Sequence, residues 1–186
     1  MRIISGTHKG RVIRPPGNFR ARPTTDIARE GLFNILSNDY DFEELVIADM
    51  FGGTGAISFE FASRGVKEVY CVEKNPVHYN FIKDTAKLFG FTNIKVFRND
   101  AFKAINKLAK NTFDIVFADP PFDMDAKESF IKNTLEAGIL KEGVLIFEHS
   151  DSESFQRVPG FIEVRKYGKV SFSFFAPNPQ PGIKQK

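Results

Sequence analysis

The sequence predicts an α/β fold in which helices cover both faces of a central, mostly parallel sheet of seven strands. Three observations support this fold class. Short apolar runs alternate with helix-like segments from residue 45 onward, a glycine-rich turn joins the first of these runs to a helix, and the last two runs are spaced for an antiparallel hairpin. The chain has 186 residues, 42% of them apolar, so it can bury a sizeable core as one compact domain.

The first forty residues are expected to form a small appendage to this sheet. Residues 2–4 and 11–13 predict a short β-hairpin, and either Thr24 or Thr25 can cap the helix that follows. The apolar residues of that helix recur on one face: Ala28, Leu32, Ile35 and Leu36. The appendage is therefore predicted to be a hairpin followed by one helix.

Strands and helices alternate along the rest of the chain. The predicted strands are residues 45–48, 68–72, 93–97, 113–118 and 143–147. The predicted helices are Ala56–Ser63, Pro76–Phe89, 101–109 and 127–137. Because a helix that connects two strands brings the second back parallel to the first, these five strands are expected to run parallel. Residues 161–166 and Val170–Phe175 complete the sheet as an antiparallel hairpin.

Three parts of the chain follow from this pattern. Residues 1–40 are expected to form the basic hairpin and helix, residues 41–176 the main α/β domain, and residues 177–186, with three prolines, a disordered tail. There is no apolar stretch of membrane-spanning length and no signal peptide at Met1. We therefore expect a cytoplasmic protein that does not bind membranes.

The basic charge is concentrated near the N-terminus. The net charge of the chain is +3, but residues 1–30 hold seven basic and two acidic residues, which leaves +5 there and −2 on the remainder. Arginine matches the geometry of phosphate oxygens, so a nucleic-acid-binding arm is favoured over an ordinary solvated N-terminus. The residues predicted to bind nucleic acid are Arg11, Arg14, Arg20, Arg22 and Arg29, with the last three expected nearest the site.

A glycine-rich turn follows the first buried strand and begins a helix, as in proteins that bind a nucleotide-type cofactor. Asp49 precedes the turn, and Ser58 stands where a dinucleotide-binding motif has its third glycine. A carboxylate is a poor neighbour for a pyrophosphate but a good one for the cationic groups of S-adenosylmethionine. We predict that this cofactor is bound in part by the residues of the turn, Asp49, Phe51, Gly52, Gly53 and Gly55.

Two further acids end the next two predicted strands. Glu73 lies twenty positions beyond Gly53, the spacing of a carboxylate that accepts from both ribose hydroxyls, although NAD enzymes share it. Asp100 can accept a hydrogen bond from the adenine amino group. Lys74 and Ala101, their neighbours, belong to the same predicted cofactor site. A solvated strand end is the alternative for each acid, but acids at four successive strand ends favour a shared site.

The fourth acid begins the segment Asp119-Pro120-Pro121-Phe122, which directly follows an apolar run. The Asp119 carboxylate and the Pro120 carbonyl can accept both N–H bonds of a planar amino group, while the Phe122 ring stacks on its plane. The prolines fix this geometry before the substrate arrives. We predict that Asp119, Pro120 and Phe122 are catalytic and that Asp119 also borders the cofactor. An ordinary strand-to-loop exit is the alternative.

A metal site and a reactive thiol are not expected. Cys71 lies within a predicted buried strand, where a packed core thiol is the simplest interpretation. The histidines His8, His78 and His149 have no cysteine or acidic partner at ligand spacing. We therefore predict that the protein binds no metal.

These segments together resemble a known family. The acids and the Asp-Pro-Pro-Phe segment are similar to those of class I S-adenosylmethionine-dependent methyltransferases that act on amino nitrogens, and the N-terminal segments resemble the bacterial RsmD family. Those segments are Arg2-Ile3-Ile4-Ser5-Gly6, Lys9-Gly10-Arg11, Arg22-Pro23-Thr24-Thr25-Asp26 and residues 30–36. The resemblance implies a Rossmann-like class I methyltransferase fold and a monomer that methylates guanine N2 in 16S ribosomal RNA, free or within a 30S particle.

Other functions remain open at this stage. The Asp119 segment also suits methylation of DNA adenine N6 or of a protein glutamine amide, although the basic arm disfavours glutamine. A non-enzymatic RNA-binding assembly factor is disfavoured by the intact acids, and a NAD-dependent dehydrogenase by Asp49 and Ser58. Glu148 and His149 end the fifth predicted strand and can touch the base, but a solvated strand end is the simpler interpretation.

Overall fold

The structure is a computed structural model that describes residues 1–17, 19, 25–109, 112–140 and 142–178. Within these residues the chain forms five α-helices and seven β-strands. The nucleic-acid contacts predicted for Arg20 and Arg22, the alternative helix cap at Thr24 and the tail from residue 179 onward lie outside the described residues.

The predicted elements are present with small shifts of their ends. The helices are α1 (Asp26–Asp39), α2 (Ala56–Ser63), α3 (Pro76–Phe89), α4 (Ala101–Leu108) and α5 (Lys127–Glu136). The strands are β1 (Val46–Asp49), β2 (Glu68–Glu73), β3 (Ile94–Arg98), β4 (Ile115–Ala118), β5 (Val144–Ser150), β6 (Phe161–Tyr167) and β7 (Val170–Phe175). A 3-10 turn at Phe42–Glu44 was not predicted. The Thr25 hydroxyl caps α1 by accepting from the N–H of Ala28 at 3.2 Å.

All seven strands form one sheet in the order β3-β2-β1-β4-β5-β7-β6. The first five strands in this order pair in parallel, and β7 pairs antiparallel to both β5 and β6. The strand order reverses at β1, which pairs with β2 on one side and β4 on the other. Open α/β sheets bind ligands at such a switch point, beyond the carboxyl ends of the strands. The predicted fold class is confirmed.

Helices cover both faces of the sheet and bury two apolar clusters. Strand residues contribute alternately to the two faces, so Ile47 belongs to one cluster and Ala48 to the other. One cluster contains residues of α1, α2 and α3, and the other contains residues of α4 and α5. Ile3 and Ile13 of the N-terminal hairpin join the first cluster, so the appendage shares its core with the sheet. The division between residues 1–40 and 41–176 stays a prediction.

The N-terminal hairpin has one β-bridge, between Arg2 and Val12, and lies along α2. The buried Glu60 carboxylate of α2 accepts from the backbone N–H groups of Ile4 at 2.7 Å and Ser5 at 3.1 Å. The turn of the hairpin contacts the C-terminal end of α2, where a side chain at Gly6 would overlap the Ser63 carbonyl. These contacts fix the hairpin in position on the sheet.

Candidate active site

A cavity of about 1130 Å³ opens at the carboxyl ends of the parallel strands. All four predicted acids line it: Asp49, Glu73, Asp100 and Asp119. The other predicted residues that line it are Phe51, Gly52, Gly53, Lys74, Ala101, Pro120 and Phe122. Gly55 instead occupies the N-cap of α2 with φ of 78°, in the left-handed region that favours glycine. The fold thus brings together residues that are up to 73 positions apart, from Asp49 to Phe122.

Asp49 is almost fully buried at the end of β1, with 1% of its surface exposed. The Ser58 hydroxyl donates to Asp49 Oδ2 at 2.6 Å, while Asp49 Oδ1 has no hydrogen-bond partner among the described residues. Burial raises the pKa of Asp49 to about 6, and the nearby Glu73 charge adds to the rise. The Ser58 hydroxyl lowers this pKa, as do, to a smaller extent, the backbone N–H groups of Phe51 and Ser58, which do not reach hydrogen-bonding geometry with Oδ1. An open buried carboxylate oxygen of this kind favours a cationic or hydrogen-donating ligand.

The glycine turn is packed against β2 at a site where a side chain does not fit. Gly52 donates its N–H to the Val72 carbonyl at 2.8 Å, and a Cβ at this position would lie 2.6 Å from Cys71 Sγ. Gly53 donates its N–H to Glu73 Oε2 at 2.7 Å. The backbone of the turn therefore follows the sheet edge closely and leaves the space above it to the cavity.

Glu73 holds two loops together at the end of β2. Its Oε2 accepts from Gly53 N–H, and its Oε1 accepts from Asn75 N–H at 2.7 Å. A carboxylate has about four lone-pair positions, so two acceptor positions remain for a ligand. The predicted contact to ribose hydroxyls is compatible with this geometry and stays a prediction. The structure adds a role in shaping the glycine turn.

Asp100 occupies the N-cap of α4, where Oδ1 accepts from the N–H groups of Phe102 and Lys103. Its Oδ2 pairs with Lys74 Nζ at 3.1 Å. Burial alone raises the pKa of Asp100, but the Lys74 and helix N–H hydrogen bonds outweigh it and lower the pKa below its ordinary value. Asp100 is therefore a stable anion at the cavity wall, and its oxygens already accept hydrogen bonds from the first turn of α4 and from Lys74.

Asp119 lies at the end of β4, opposite the glycine turn, and begins the loop to α5. Burial raises the pKa of Asp119 well above its ordinary value, the negative charges of Glu148 and Asp49 add to this, and Lys127 opposes it. Pro120 is buried, whereas the Phe122 ring is 75% exposed at the mouth of the cavity. This arrangement presents a carboxyl group inside the cavity and an uncovered aromatic face at its entrance.

The structure describes three of the five arginines predicted to bind nucleic acid, and two of these three are accessible. Arg11 and Arg14 are exposed. Arg29 is only 1% exposed, because it donates to Asp26 Oδ1 at 2.8 Å and to the Arg2 carbonyl at 2.5 Å. The prediction that Arg29 contacts nucleic acid is therefore wrong, and this arginine instead joins α1 to the hairpin.

The two exposed arginines lie toward opposite ends of the hairpin. Met1 Sδ is 3.3 Å from the hydroxyl of Thr54, a cavity residue, and Ile13 pairs with Met1, which places the following Arg14 toward the cavity. The Arg11 guanidinium lies 5.1 Å from the ring centroid of Phe89, the last residue of α3. The two arginines are three residues apart, so their Cα atoms are separated by at most about 10 Å and they belong to one local basic surface beside the cavity.

A second cavity of about 370 Å³ lies between the hairpin and α1. Three cations and one anion line it: Arg2, Lys9, Arg64 and Glu30. Arg64 pairs with Glu60 at 2.9 Å and packs over the Phe33 ring, so its position is fixed. The basic surface therefore continues from the hairpin to Arg64 at the end of α2, while α1 contributes the acidic Glu30.

Glu148 and His149 are buried, so a solvated strand end is the wrong interpretation for both. Strand β5 continues to Ser150 because β7 pairs with it, placing Glu148 opposite Phe172 and His149 opposite Ser171. His149 is 2.8 Å from the Ser173 hydroxyl and packs edge-on against Phe155. Burial lowers the pKa of His149, which favours a neutral structural histidine.

Several residues of the cavity and its surroundings were not predicted. Two polar residues beside the cavity are Ser58, which the sequence offered only as evidence against a dinucleotide motif, and Lys127, which pairs with Glu153 near the Asp119 loop. The unpredicted polar residues that line the cavity are Thr54, Asn75, His78, Asn99 and Asp123. His78 lines the cavity and stacks on Phe19 with ring centroids 4.2 Å apart. The helix periodicity of α3 gives no signal for His78, since the ring from residue 19 comes from a distant segment. Cys71 is buried as predicted, and burial raises the pKa of its thiol.

Metal-binding clusters and membrane spans are both absent from the part of the chain that the structure describes. Among those residues, no group of three or more histidine, cysteine or acidic side chains is placed to hold a metal ion. No helix formed by the described residues is long and apolar enough to cross a membrane.

Comparison with known proteins agrees with the geometry. The Escherichia coli K12 protein named Ribosomal RNA small subunit methyltransferase D is 33% identical over 156 residues, which cover 83% of this chain and 76% of the relative. The protein of the same name from Buchnera aphidicola (Baizongia pistaciae) is 32% identical, covering 79% of this chain and 74% of the relative. The solved structure of a Thermus thermophilus hypothetical protein has a TM-score of 0.83 at 24% identity, covering 95% of this chain and 99% of that one, and shows the same fold.

A protein-family model carries the comparison over nearly the whole chain. The model is described as Conserved hypothetical protein 95 and matches residues 1–176, which include the hairpin, the glycine turn and the Asp119 segment. The chain therefore belongs to this family, the RsmD family that its N-terminal and cavity motifs resemble.

Proposed function

We propose that this protein transfers a methyl group from S-adenosylmethionine to the exocyclic N2 amine of a guanine in small-subunit ribosomal RNA. The observation that carries the proposal is the cavity at the switch point, where Asp49 offers an open buried oxygen and Asp119 borders the same space. Relatives named as small-subunit ribosomal RNA methyltransferases supply the RNA class. The guanine N2 position follows from the resemblance and from the shape of the Asp119 segment.

The cavity residues fit the cofactor in charge and shape. Lining acids outnumber the lining lysine, which favours a ligand with cationic groups. Asp49 Oδ1 would accept from the cofactor's cationic end, Glu73 from the ribose hydroxyls and Asp100 from the adenine amine. Gly52 would keep the turn close to the sheet and clear of the ligand. The bound cofactor would supply an electrophilic methyl group.

Asp119, Pro120 and Phe122 would act on the substrate amine. The nitrogen lone pair of this amine is delocalised into the guanine ring, so the amine is a weak nucleophile. Hydrogen bonds from its two N–H groups to the Asp119 carboxylate and the Pro120 carbonyl would hold it in line with the methyl group. The same contacts would stabilise the positive charge that develops on nitrogen. Phe122, exposed at the entrance, would stack on the base.

A residue of the cavity can accept the proton that the amine loses during methyl transfer. When nitrogen gains the methyl group it must lose one proton. Asp119 would accept it, because its pKa is raised by burial and by the charges of Glu148 and Asp49, and water at the entrance would carry the proton away. A target base paired in a helix cannot reach this site, so we infer that the guanine is unpaired or flipped out.

The basic hairpin would hold the RNA backbone. Arg14 lies toward the cavity and Arg11 lies toward the far end of α3, with Arg2 and Lys9 at the second cavity between them and α1. Contacts of this kind bind phosphates without reading sequence, and they orient the RNA over the entrance.

The proposal also includes the form of the substrate and the state of the protein. We propose that the substrate RNA can be part of an assembled 30S particle, and that the protein is a monomer located in the cytoplasm.

The direct test is methyl transfer from labelled S-adenosylmethionine to unmodified small-subunit ribosomal RNA, followed by mass spectrometry of the digested nucleosides. The RNA is offered naked and as assembled 30S particles, and DNA and a glutamine peptide are offered in parallel. N2-methylguanosine supports the proposal. Label in N6-methyladenine or in the glutamine amide would replace the substrate class while leaving the cofactor site in place.

An Asp119→Ala variant separates catalysis from cofactor binding. We expect its turnover to fall by about 100-fold or more, because the amine loses its carboxylate partner, while calorimetry finds S-adenosylmethionine affinity within a few-fold of wild type. Asp125→Ala, in an exposed residue of the same loop that does not line the cavity, is the matched control and should keep its turnover. Loss of cofactor affinity in Asp119→Ala would move this residue from the substrate side to the cofactor side. A wild-type protein that binds cofactor but methylates none of the substrates would favour the RNA-binding assembly factor.

A further inference from the structure

Lys127 is a buried cation that hydrogen-bonds to the segment carrying Asp119 and Phe122. Only 9% of its side chain is exposed. Its Nζ donates to the Phe122 carbonyl at 3.0 Å and pairs with Glu153 Oε1 at 2.7 Å. Glu153 Oε2 in turn accepts from the Ser150 N–H at 3.2 Å, at the end of β5. The Asp119 loop is thus tied to the neighbouring strand through one lysine.

The position of Lys127 is unfavourable for helix formation. It is the first residue of α5, and Ala126 at the N-cap makes no side-chain hydrogen bond to the helix. A cation near a helix N-terminus opposes the helix dipole, and burying an ammonium group adds a desolvation penalty. Helix stability therefore gives no reason for a lysine here. The reason lies in the groups that its ammonium contacts.

The first of these groups is the backbone of the substrate loop. The Phe122 carbonyl is held by Lys127, and the Met124 N–H donates to the Pro121 carbonyl at 3.0 Å. The Phe122 ring itself is 75% exposed, so the carbonyl contact is its anchor rather than side-chain packing. Without the lysine, the ring that stacks on the base would have no fixed starting position.

The second group is the Asp119 carboxylate. Burial and the charges of Glu148 and Asp49 all favour its protonated form, which raises the pKa of Asp119, and Lys127 is the cation that acts against them among the described residues. Ionised Asp119 accepts an N–H bond from the substrate amine more strongly than the protonated carboxyl group does, and only the ionised form can take up the proton that the amine loses, so a nearby cation favours the reaction. Glu153 partly neutralises Lys127, and the charges of Lys127, Lys166 and Glu153 also act on His149, which is buried beside them.

We propose that Lys127 is a positioning residue of the methyl-transfer site, which fixes Phe122 through its carbonyl and supplies a buried cation to the loop that carries Asp119. This role rests on the function proposed above. It assigns the Lys127–Glu153 pair to the site, although neither side chain lines the cavity.

The test measures Asp119 directly in the cofactor-free protein, by carbon NMR of the side-chain carboxyl groups as a function of pH. The Asp119 resonance is assigned by its loss in Asp119→Asn. Lys127→Met should move the titration of Asp119 to higher pH. Glu153→Gln, which leaves the lysine less neutralised, should move it to lower pH. Lys132→Met removes an exposed lysine of the same helix, paired with Glu128, and should leave it unchanged.

Opposite shifts in Lys127→Met and Glu153→Gln support the proposal, since loss of a merely structural pair would not shift the titration in opposite directions. Shifts in the same direction, or no shift, would overturn it. Circular dichroism checks that each variant is folded, and Glu153→Gln keeps the test decisive if Lys127→Met does not fold.

Methyl transfer to ribosomal RNA supplies the second readout. Lys127→Met should reduce kcat about tenfold or more, since a small misplacement of reacting groups has an effect of this order, and should move the acid limb of the pH profile to higher pH. Lys127→Arg keeps the charge and should recover part of the loss. A wild-type enzyme that is active, with Lys127→Met unchanged in rate and titration, overturns the role of Lys127 alone. A wild-type protein without transferase activity overturns the proposed function.

Discussion

Two buried carboxylates on adjoining elements, Asp49 at the end of β1 and Glu60 within α2, have opposite environments. Glu60 accepts from the Ile4 and Ser5 backbone N–H groups and from Arg64, so both of its oxygens are used. Asp49 accepts from Ser58 through one oxygen, and its second oxygen is buried without a hydrogen-bond partner among the described residues. The two acids are only eleven positions apart and equally hidden from solvent. The partners of a buried charge, not its burial, distinguish a structural acid from a ligand-binding one.

The largest effect is expected from removing the structural acid. Glu60→Ala leaves the Arg64 guanidinium and two backbone N–H groups without their partner, and breaking a buried pair in this way costs about 3 to 5 kcal/mol of unfolding free energy. Urea denaturation measures the loss. Glu128→Ala, in an exposed pair with Lys132, is the control and should change stability by less than about 1 kcal/mol. Equal stability of Glu60→Ala and wild type would contradict the assigned role.

Removing the charge of the ligand-binding acid, Asp49, should increase the unfolding free energy, whereas removing Glu60 decreases it. The pKa of Asp49 is about 6 in the folded protein and 3.8 by reference, so the folded state holds the proton more tightly. Stability therefore falls as pH rises from about 4 to about 6 and stays reduced above, by about 3 kcal/mol at 1.36 kcal/mol per pKa unit. Asp49→Asn removes this loss.

We expect the unfolding free energy of Asp49→Asn to exceed that of wild type by up to about 3 kcal/mol at pH 8, and by less at pH 5, where the wild-type carboxyl is still largely protonated. Urea denaturation at both pH values gives the comparison. A variant less stable than wild type at pH 8 would show that Asp49 is satisfied within the protein, as Glu60 is.

Cofactor affinity should depend on pH through the same carboxyl group. A cationic ligand favours ionised Asp49, whose pKa is about 6, so the affinity should be constant above about pH 7 and weaken below pH 6, by up to about tenfold per pH unit. Calorimetry between pH 5 and pH 8 measures it. The cofactor affinity of Asp49→Asn, although weak, should depend much less on pH. A wild-type affinity that does not change with pH would contradict the proposal that ionised Asp49 binds the cationic end of the cofactor.

The smallest effect per residue is expected at the basic hairpin, where the charges are exposed. Reversing Arg11 and Arg14 to glutamate should weaken RNA binding and reduce the slope of log affinity against log salt by about 1 for each phosphate that is no longer bound. Lys107→Glu, on the exposed surface of α4 over the other face of the sheet, is the control. An unchanged slope in the hairpin variant would indicate that these arginines are only solvated, and cofactor affinity should not change in either variant.

The cavity was predicted well from the sequence because its residues follow from local patterns. Each acid ends a strand or follows it within two residues, and parallel strands place their carboxyl ends at one edge, so Asp49, Glu73, Asp100 and Asp119 meet without further information. The bounds of α2 and α3 were likewise predicted, since Gly55 and Pro76 mark their first turns.

Residues that depend on distant partners could not be predicted. Arg29 resembles the other arginines of the arm, and only the fold shows that it faces inward to Asp26 and the hairpin. His149 is buried because β7 pairs with β5 beyond its apolar run, and a single strand gives no signal for its partner. Glu60 meets Ile4 across 56 positions, a contact that arises only when the hairpin packs on α2.

Calorimetry of S-adenosylmethionine binding to wild type and to Asp49→Asn at pH 8 is the decisive experiment for the cofactor site. We expect one bound cofactor per wild-type chain and an affinity about 100-fold lower in the variant, an effect typical of losing a charged hydrogen bond in a buried site, while the variant is folded and at least as stable. Absence of binding to wild type, or equal affinity in both proteins, would contradict the assignment of this cavity to the cofactor.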